Sequence, residues 1–221
     1  MDWSLPPNHS TQGISIDLLF WIILVLTGIA FILVEGGLVW FMIKYRAKEG
    51  REALYTHGSN KAEIIWTATP AVILAGLGIY SGTVWECIKG SGSFPEDALT
   101  FRVVAKQFEW NVTYPGVDKQ IGTDDDFTVR NQFHFPAYEP VVVELQSEDV
   151  IHSFFIPELR VKQDAVPGMT VPIWFDSRET GEFEIACAEL CGLGHYRMMA
   201  KVTVHEPADF EAWTASRAAG N

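Results

Sequence analysis

GEFEIACAELCGLGHYRMMAKVTVH, Gly181–His205, is the stretch from which the rest of the chain is read. Its ends, GEFEIAC (Gly181–Cys187) and MAKVTVH (Met199–His205), read as strands. Between them Cys187, Cys191, His195 and Met198 fall within one short loop. A loop held between two strands is a rigid platform for ligands. Thiolate, imidazole and thioether are soft donors that together favour copper. A single blue-copper ion takes only one cysteine, with two histidines and a weak methionine. Two bridging thiolates would instead hold two copper ions close together, and such a pair needs a second histidine. A local Cys187–Cys191 disulfide would leave His195 and Met198 without a role. A zinc site of two cysteines and two histidines would leave Met198 without one.

The best outside ligand is His152, in SEDVIHSFFIP, at the end of an expected strand; His134, in NQFHFP, is the rival. His205, at a strand end, reads as solvated. Further strands are expected in Thr100–Tyr114, Pro140–Gln146 and Thr170–Asp176, separated by the turn signals YPG, VPG and SRETG. Several short strands with turns between them predict an antiparallel sandwich or barrel. Pro207–Ala219 reads as a short amphipathic helix, with Pro207 suited to its first turn.

Upstream, two apolar stretches set the class. Leu18–Ile43 carries one charge, Glu35, and Ile64–Trp85 carries none. Each is long enough to cross a bilayer core, which takes about 20 residues. The first lacks a positive n-region and is too long for a signal peptide, so it reads as a retained anchor. MDWSLPPNHSTQGIS would then be a short exposed tail. The segment Lys44–Lys61 holds five Lys/Arg, which places it on the cytoplasmic side and both termini outside. Lys89–Asn221 has 11 Lys/Arg against 21 Asp/Glu, an acidic extracytoplasmic domain. A net charge of −12 excludes the basic footprint of a nucleic-acid binder. Three cysteines are too few for a disulfide scaffold. The expected organisation is a two-helix anchor in 1–88 (helices about 18–43 and 64–88), a linker in 89–98, a β domain in 99–206 and a C-terminal helix and tail in 207–221.

The run C-A-E-L-C-G-x-G-H-x-x-M, with E-D-V-I-H-S-F-F-I-P, D-A-V-P-G and E-I-I-W-T-A-T-P (Glu63–Pro70), resembles subunit II of haem–copper cytochrome c oxidase. The resemblance implies a membrane-anchored, cupredoxin-like Greek-key β-sandwich carrying the dinuclear CuA centre. Cys187 and Cys191 would bridge both coppers, His152 and His195 would cap one each, and Met198 and the Glu189 carbonyl would be weak axial ligands. The Glu189 side chain would turn to a magnesium or manganese ion shared with subunit I, as suits a hard carboxylate. Glu63 would stand at the mouth of a proton path. Electrons would arrive from a cytochrome c and pass to haem in subunit I for reduction of oxygen to water, with other oxidase subunits and the lipid bilayer as further partners. The location implied is the inner (plasma) membrane, with the domain on the periplasmic side. The family's Q-W-x-W cluster reads Gln107-Phe108-Glu109-Trp110 here. Phe108 and Trp110 are the expected electron-transfer aromatics, and the missing first tryptophan points to a dedicated, membrane-bound or complex-attached donor. Asp124, Asp125, Asp126, Glu148, Asp149, Glu158 and Asp164 are candidate steering charges for a basic cytochrome. Glu35 matches no family residue. The alternatives are a CuA subunit of a nitric oxide or nitrous oxide reductase, and a membrane-anchored copper chaperone.

Overall fold

A computed structural model describes residues 5–218; the ends of the expected N- and C-terminal tails lie outside the described residues. The chain divides into two compact units, Asp17–Trp85 and the remainder.

The first unit holds most of two helices, α1 (Thr11–Lys44) and α2 (Asn60–Lys89), both long and apolar enough to cross a membrane. At 1.5 Å per residue α1 runs about 50 Å, more than a hydrocarbon core of about 30 Å. It starts seven residues before the apolar stretch because polar capping extends it. Ser10 Oγ accepts the Gly13 N–H at 3.0 Å, an N-cap bond. In α2 the Ser59 hydroxyl stands in the same place, accepting from Ala62 N at 3.4 Å.

Residues 8–10, just ahead of α1, are not an exposed tail. Ser10 is fully buried and donates its hydroxyl to the Leu159 carbonyl at 2.7 Å. His9 N donates to Glu158 O at 2.9 Å, and Arg178 N donates to His9 O at 2.7 Å. Asp176 accepts from Thr11 N at 2.8 Å and from its hydroxyl at 2.5 Å. The segment straps onto the β domain because it offers backbone and hydroxyl groups to unpaired partners there.

The second unit has ten strands: β1 (Leu99–Lys106), β2 (Glu109–Tyr114), β3 (Phe127–Arg130), β4 (Gln132–Pro136), β5 (Val141–Ser147), β6 (His152–Ile156), β7 (Val161–Ala165), β8 (Val171–Phe175), β9 (Gly181–Cys187) and β10 (Met199–His205). They form two five-stranded sheets, β3-β2-β1-β5-β8 and β4-β10-β9-β6-β7, packed as a cupredoxin-like Greek-key sandwich. The pairs β1–β5 and β4–β10 are parallel, the rest antiparallel. Thr100–Tyr114 is a hairpin rather than one strand, turning at Gln107 and Phe108. Side chains alternate in and out along β1, β2 and β5, as a pleated strand with one covered face requires. The inward positions carry a largely aromatic core that includes Phe101, Trp110, Tyr114, Phe133, Phe154 and Phe175, all fully buried. The closing helix α3 (Pro207–Ala218) buries Phe210 and lays Trp213 on His134, ring centroids 4.1 Å apart. The segment after α2 is tied down by Lys89 Nζ donating to Gln163 Oε1 at 2.8 Å and Trp174 Nε1 donating to Ser93 Oγ at 3.3 Å.

Candidate metal centre

Strand register assembles the site. Phe154 pairs with Cys187 between β6 and β9, so His152 comes level with the first residues of the cysteine loop. Cys187 N donates to Met198 O at 3.1 Å, which closes the loop at its base. Within it, His195 N donates to Gly192 O at 3.0 Å and Met198 N to His195 O at 3.1 Å, folding one short helical turn that aims both side chains inward. Gly192 has φ 130°, which a side chain would strain. Gly194 has an ordinary φ of −93° and is needed for space instead: a Cβ there would collide with the Phe108 ring.

The donors converge. Cys187 Sγ and Cys191 Sγ lie 3.8 Å apart, both as free thiols. His152 Nδ1 is 3.9 Å from Cys187 Sγ, and His195 Nδ1 is 3.6 Å from Cys191 Sγ. Met198 Sδ is 3.7 Å from Cys191 Sγ, and the Cys187 thiol donates to the Glu189 carbonyl at 3.2 Å. His152 is completely buried and Met198 and both cysteines nearly so, while His195 is half-buried. Burial, followed by the adjacent Cys187, pushes the Cys191 thiol up to about 11. Two neighbouring sulfurs are a site suited to a cation, which deprotonates a coordinating thiol outright. The donor set, two sulfurs between two imidazole nitrogens with a thioether and a carbonyl beside them, fits copper.

A second layer orients the first. His152 Nε2 donates to Asp149 Oδ1 at 2.8 Å, which fixes the tautomer and leaves Nδ1 as the free lone pair. Burial works against the Asp149 charge. Hydrogen bonds from His152, Gln107 N and Val150 N outweigh it and hold the carboxyl below its usual range. Gln107 Nε2 donates to the Cys191 carbonyl at 2.5 Å. Trp110 lies against His152, ring centroids 6.2 Å apart.

Comparison with known proteins gives the family. Residues 106–205 match the family model for the cytochrome C oxidase subunit II periplasmic domain, and residues 2–84 match the one for its transmembrane domain. An alternative cytochrome c oxidase subunit 2 from Bradyrhizobium diazoefficiens is 33% identical, over 90% of this chain and 77% of its own. The subunit 2 of Thermostichus vulcanus is 30% identical, over 95% and 77%. The crystal structure of the periplasmic domain of subunit II from Bradyrhizobium japonicum is 30% identical with a TM-score of 0.49, covering 55% of this chain and 94% of that one. The chain belongs to the cytochrome c oxidase subunit II family. It is thus a copper-binding, membrane-anchored subunit of an oxidoreductase, with an extracytoplasmic domain.

In this subunit II chain, His152, Cys187, Cys191, His195, Met198 and the Glu189 carbonyl come together. His134 does not join them. Its Nδ1 meets His205 Nε2 at 2.8 Å, so His205 is half-buried in a ring stack with Trp213 rather than solvated. Phe108 is half-buried on the loop glycines, whereas Trp110 is wholly buried and offers no surface to a partner. The Glu189 carboxylate is exposed, and no group of metal-ligating side chains among the described residues includes it. Glu63 lies in the first turn of α2, in the other unit. Several proposed steering charges are already engaged: Glu148 with Lys106 at 2.7 Å, Asp149 with His152, and Asp125 with the backbone of Val117 at 2.6 Å. The supporting roles of Gln107 and Asp149 escaped sequence reasoning, although Asp149, three residues before His152, was a readable signal.

Proposed function

We propose that this subunit carries the dinuclear CuA centre, receives electrons from a cytochrome c and delivers them to haem in oxidase subunit I. The observation behind this reading is the thiol pair, 3.8 Å apart, with one imidazole nitrogen flanking each sulfur. Cys187, Cys191, His152, His195 and Met198 would hold the copper pair, which would supply one-electron acceptance and release. The chain's own part is to hold the donors still and dry. Strand pairing at the base of the loop fixes Cys187 and Met198, Asp149 fixes His152, and burial excludes water from the sulfurs. His195 is the most exposed of the side-chain ligands. Leu190, Leu193 and Tyr196 project from the same loop, giving a partner an apolar surface for close approach. Phe108, seated on Gly192 and Gly194, receives electrons at the edge of the site; Trp110 acts only from within.

The remaining roles belong to the same reading. The Glu189 carboxylate offers one ligand to a magnesium or manganese ion completed by subunit I. Glu63 stands on the cytoplasmic side at a proton path. The protein crosses the inner (plasma) membrane twice, with both termini outside, and a basic, membrane-held cytochrome c is the donor. A loop closed by strand pairing does not suit a chaperone's labile site. Cys187→Ser and Cys191→Ser should each abolish a purple dicopper spectrum in the purified chain; its survival in either variant would overturn the assignment. Glu189→Gln in the oxidase complex should lose bound manganese and keep copper.

A further inference from the structure

The hairpin turn between β1 and β2 reaches both ligand-bearing segments through a single residue. Gln107 donates its backbone N–H to Asp149 Oδ2 at 2.7 Å, and Asp149 Oδ1 accepts from the His152 ligand at 2.8 Å. Its side-chain amide donates to the carbonyl of Cys191 at 2.5 Å. The fit is close on the loop side: a Cβ on Gly192 would stand 2.8 Å from Gln107 Nε2 and 3.2 Å from the Phe108 ring. A side chain at Gly192 would therefore press on the Gln107 amide that forms the brace.

We propose that Gln107 is a positioning residue for the metal centre, a two-armed brace that sets the spacing between the His152 side and the Cys191 side. The inference rests on the copper reading of the site, since the brace matters only if both segments ligate one centre. The two arms are chemically distinct. The backbone arm survives any non-proline substitution and keeps His152 in its tautomer. The side-chain arm requires an N–H or O–H donor, so a residue of similar shape without one removes that arm alone. Outer-layer partners of metal ligands typically contribute about 10- to 100-fold in affinity. With the Cys191 carbonyl released, the loop has more freedom, and the sulfur it carries moves relative to Cys187.

The test compares wild type, Gln107→Met and, as a control on the same hairpin, Lys106→Met, each as the full chain in detergent loaded with copper. Among the described residues the Lys106 ammonium hydrogen-bonds to Glu148 and to no ligand. Copper release to a chelator and the optical and paramagnetic spectra are read on the loaded protein. Thiol modification rate and thermal unfolding are read on the metal-free protein. Gln107→Met is expected to release copper about tenfold faster or more, with shifted absorption bands and faster modification of Cys191. Lys106→Met is expected to match wild type, and unfolding should be similar in all three because the Gln107 side chain is at the surface. Release and spectra of Gln107→Met matching wild type would overturn the proposal. Wild type that binds no copper pair would sink the underlying reading instead, and the thiol modification rate alone would still decide the brace.

Discussion

His152 Nε2 meets Asp149 Oδ1 at 2.8 Å, while its Nδ1 faces Cys187 Sγ at 3.9 Å. One nitrogen is thus committed as a donor and the other is left free for metal. Asp149→Asn retains the size but leaves only one carbonyl oxygen for three donors, Gln107 N, Val150 N and His152 Nε2. Copper affinity should fall about 10- to 100-fold in a chelator competition. Unchanged affinity would mean that His152 is oriented by packing against Trp110 alone.

Gly194 and Phe108 compete for the same space. Gly194→Ala places a methyl group into the Phe108 ring. The domain should lose about 1–3 kcal/mol in denaturant unfolding, the usual effect of overpacking. Adding Phe108→Ala should restore part of that loss. If the two effects simply add, the ring does not sit on the glycine.

The His134–His205 pair predicts acid sensitivity. Burial, then the neighbouring His205, Arg217 and Lys201, depress His134 to about 4 from an ordinary 6.5. The unfolded chain therefore takes up the proton first as pH falls. The contribution is whole above about 6.5 and is lost between there and about 4. Metal-free His134→Gln should show a shallower fall in melting temperature across that window; an identical slope would refute this assignment.

Asp176 caps α1 across 165 residues of sequence through Thr11. Asp176→Ala should cost about 0.5–2 kcal/mol and speed hydrogen exchange in the first turn of α1. Exchange that stays as slow as in wild type would show that Ser10 suffices as the cap.

The soft donors of the loop were legible because their softness and spacing are local properties of one stretch. His152 was legible only through the need for one more ligand, and the β6–β9 register supplied the place. The hairpin at Gln107–Phe108 was hidden because neither residue is a turn former such as Gly, Pro, Asn or Asp. The pairing of His134 with His205 was hidden for another reason: it depends on a parallel pairing between strands 71 residues apart in sequence. The strap at Asn8–Gly13 reads as a polar tail, and only its partners Leu159 and Asp176 reveal it as structure. The sandwich itself followed from several short runs rich in β-branched and aromatic residues with turn signals between them.

The central claim is that two thiolates and two imidazoles of this chain hold a copper pair. Its most direct test is the copper content of the purified full chain together with its paramagnetic spectrum. The account predicts two copper ions per chain and hyperfine structure from two equivalent nuclei, lost on His152→Ala. One copper ion per chain, or a spectrum from a single nucleus, would contradict it.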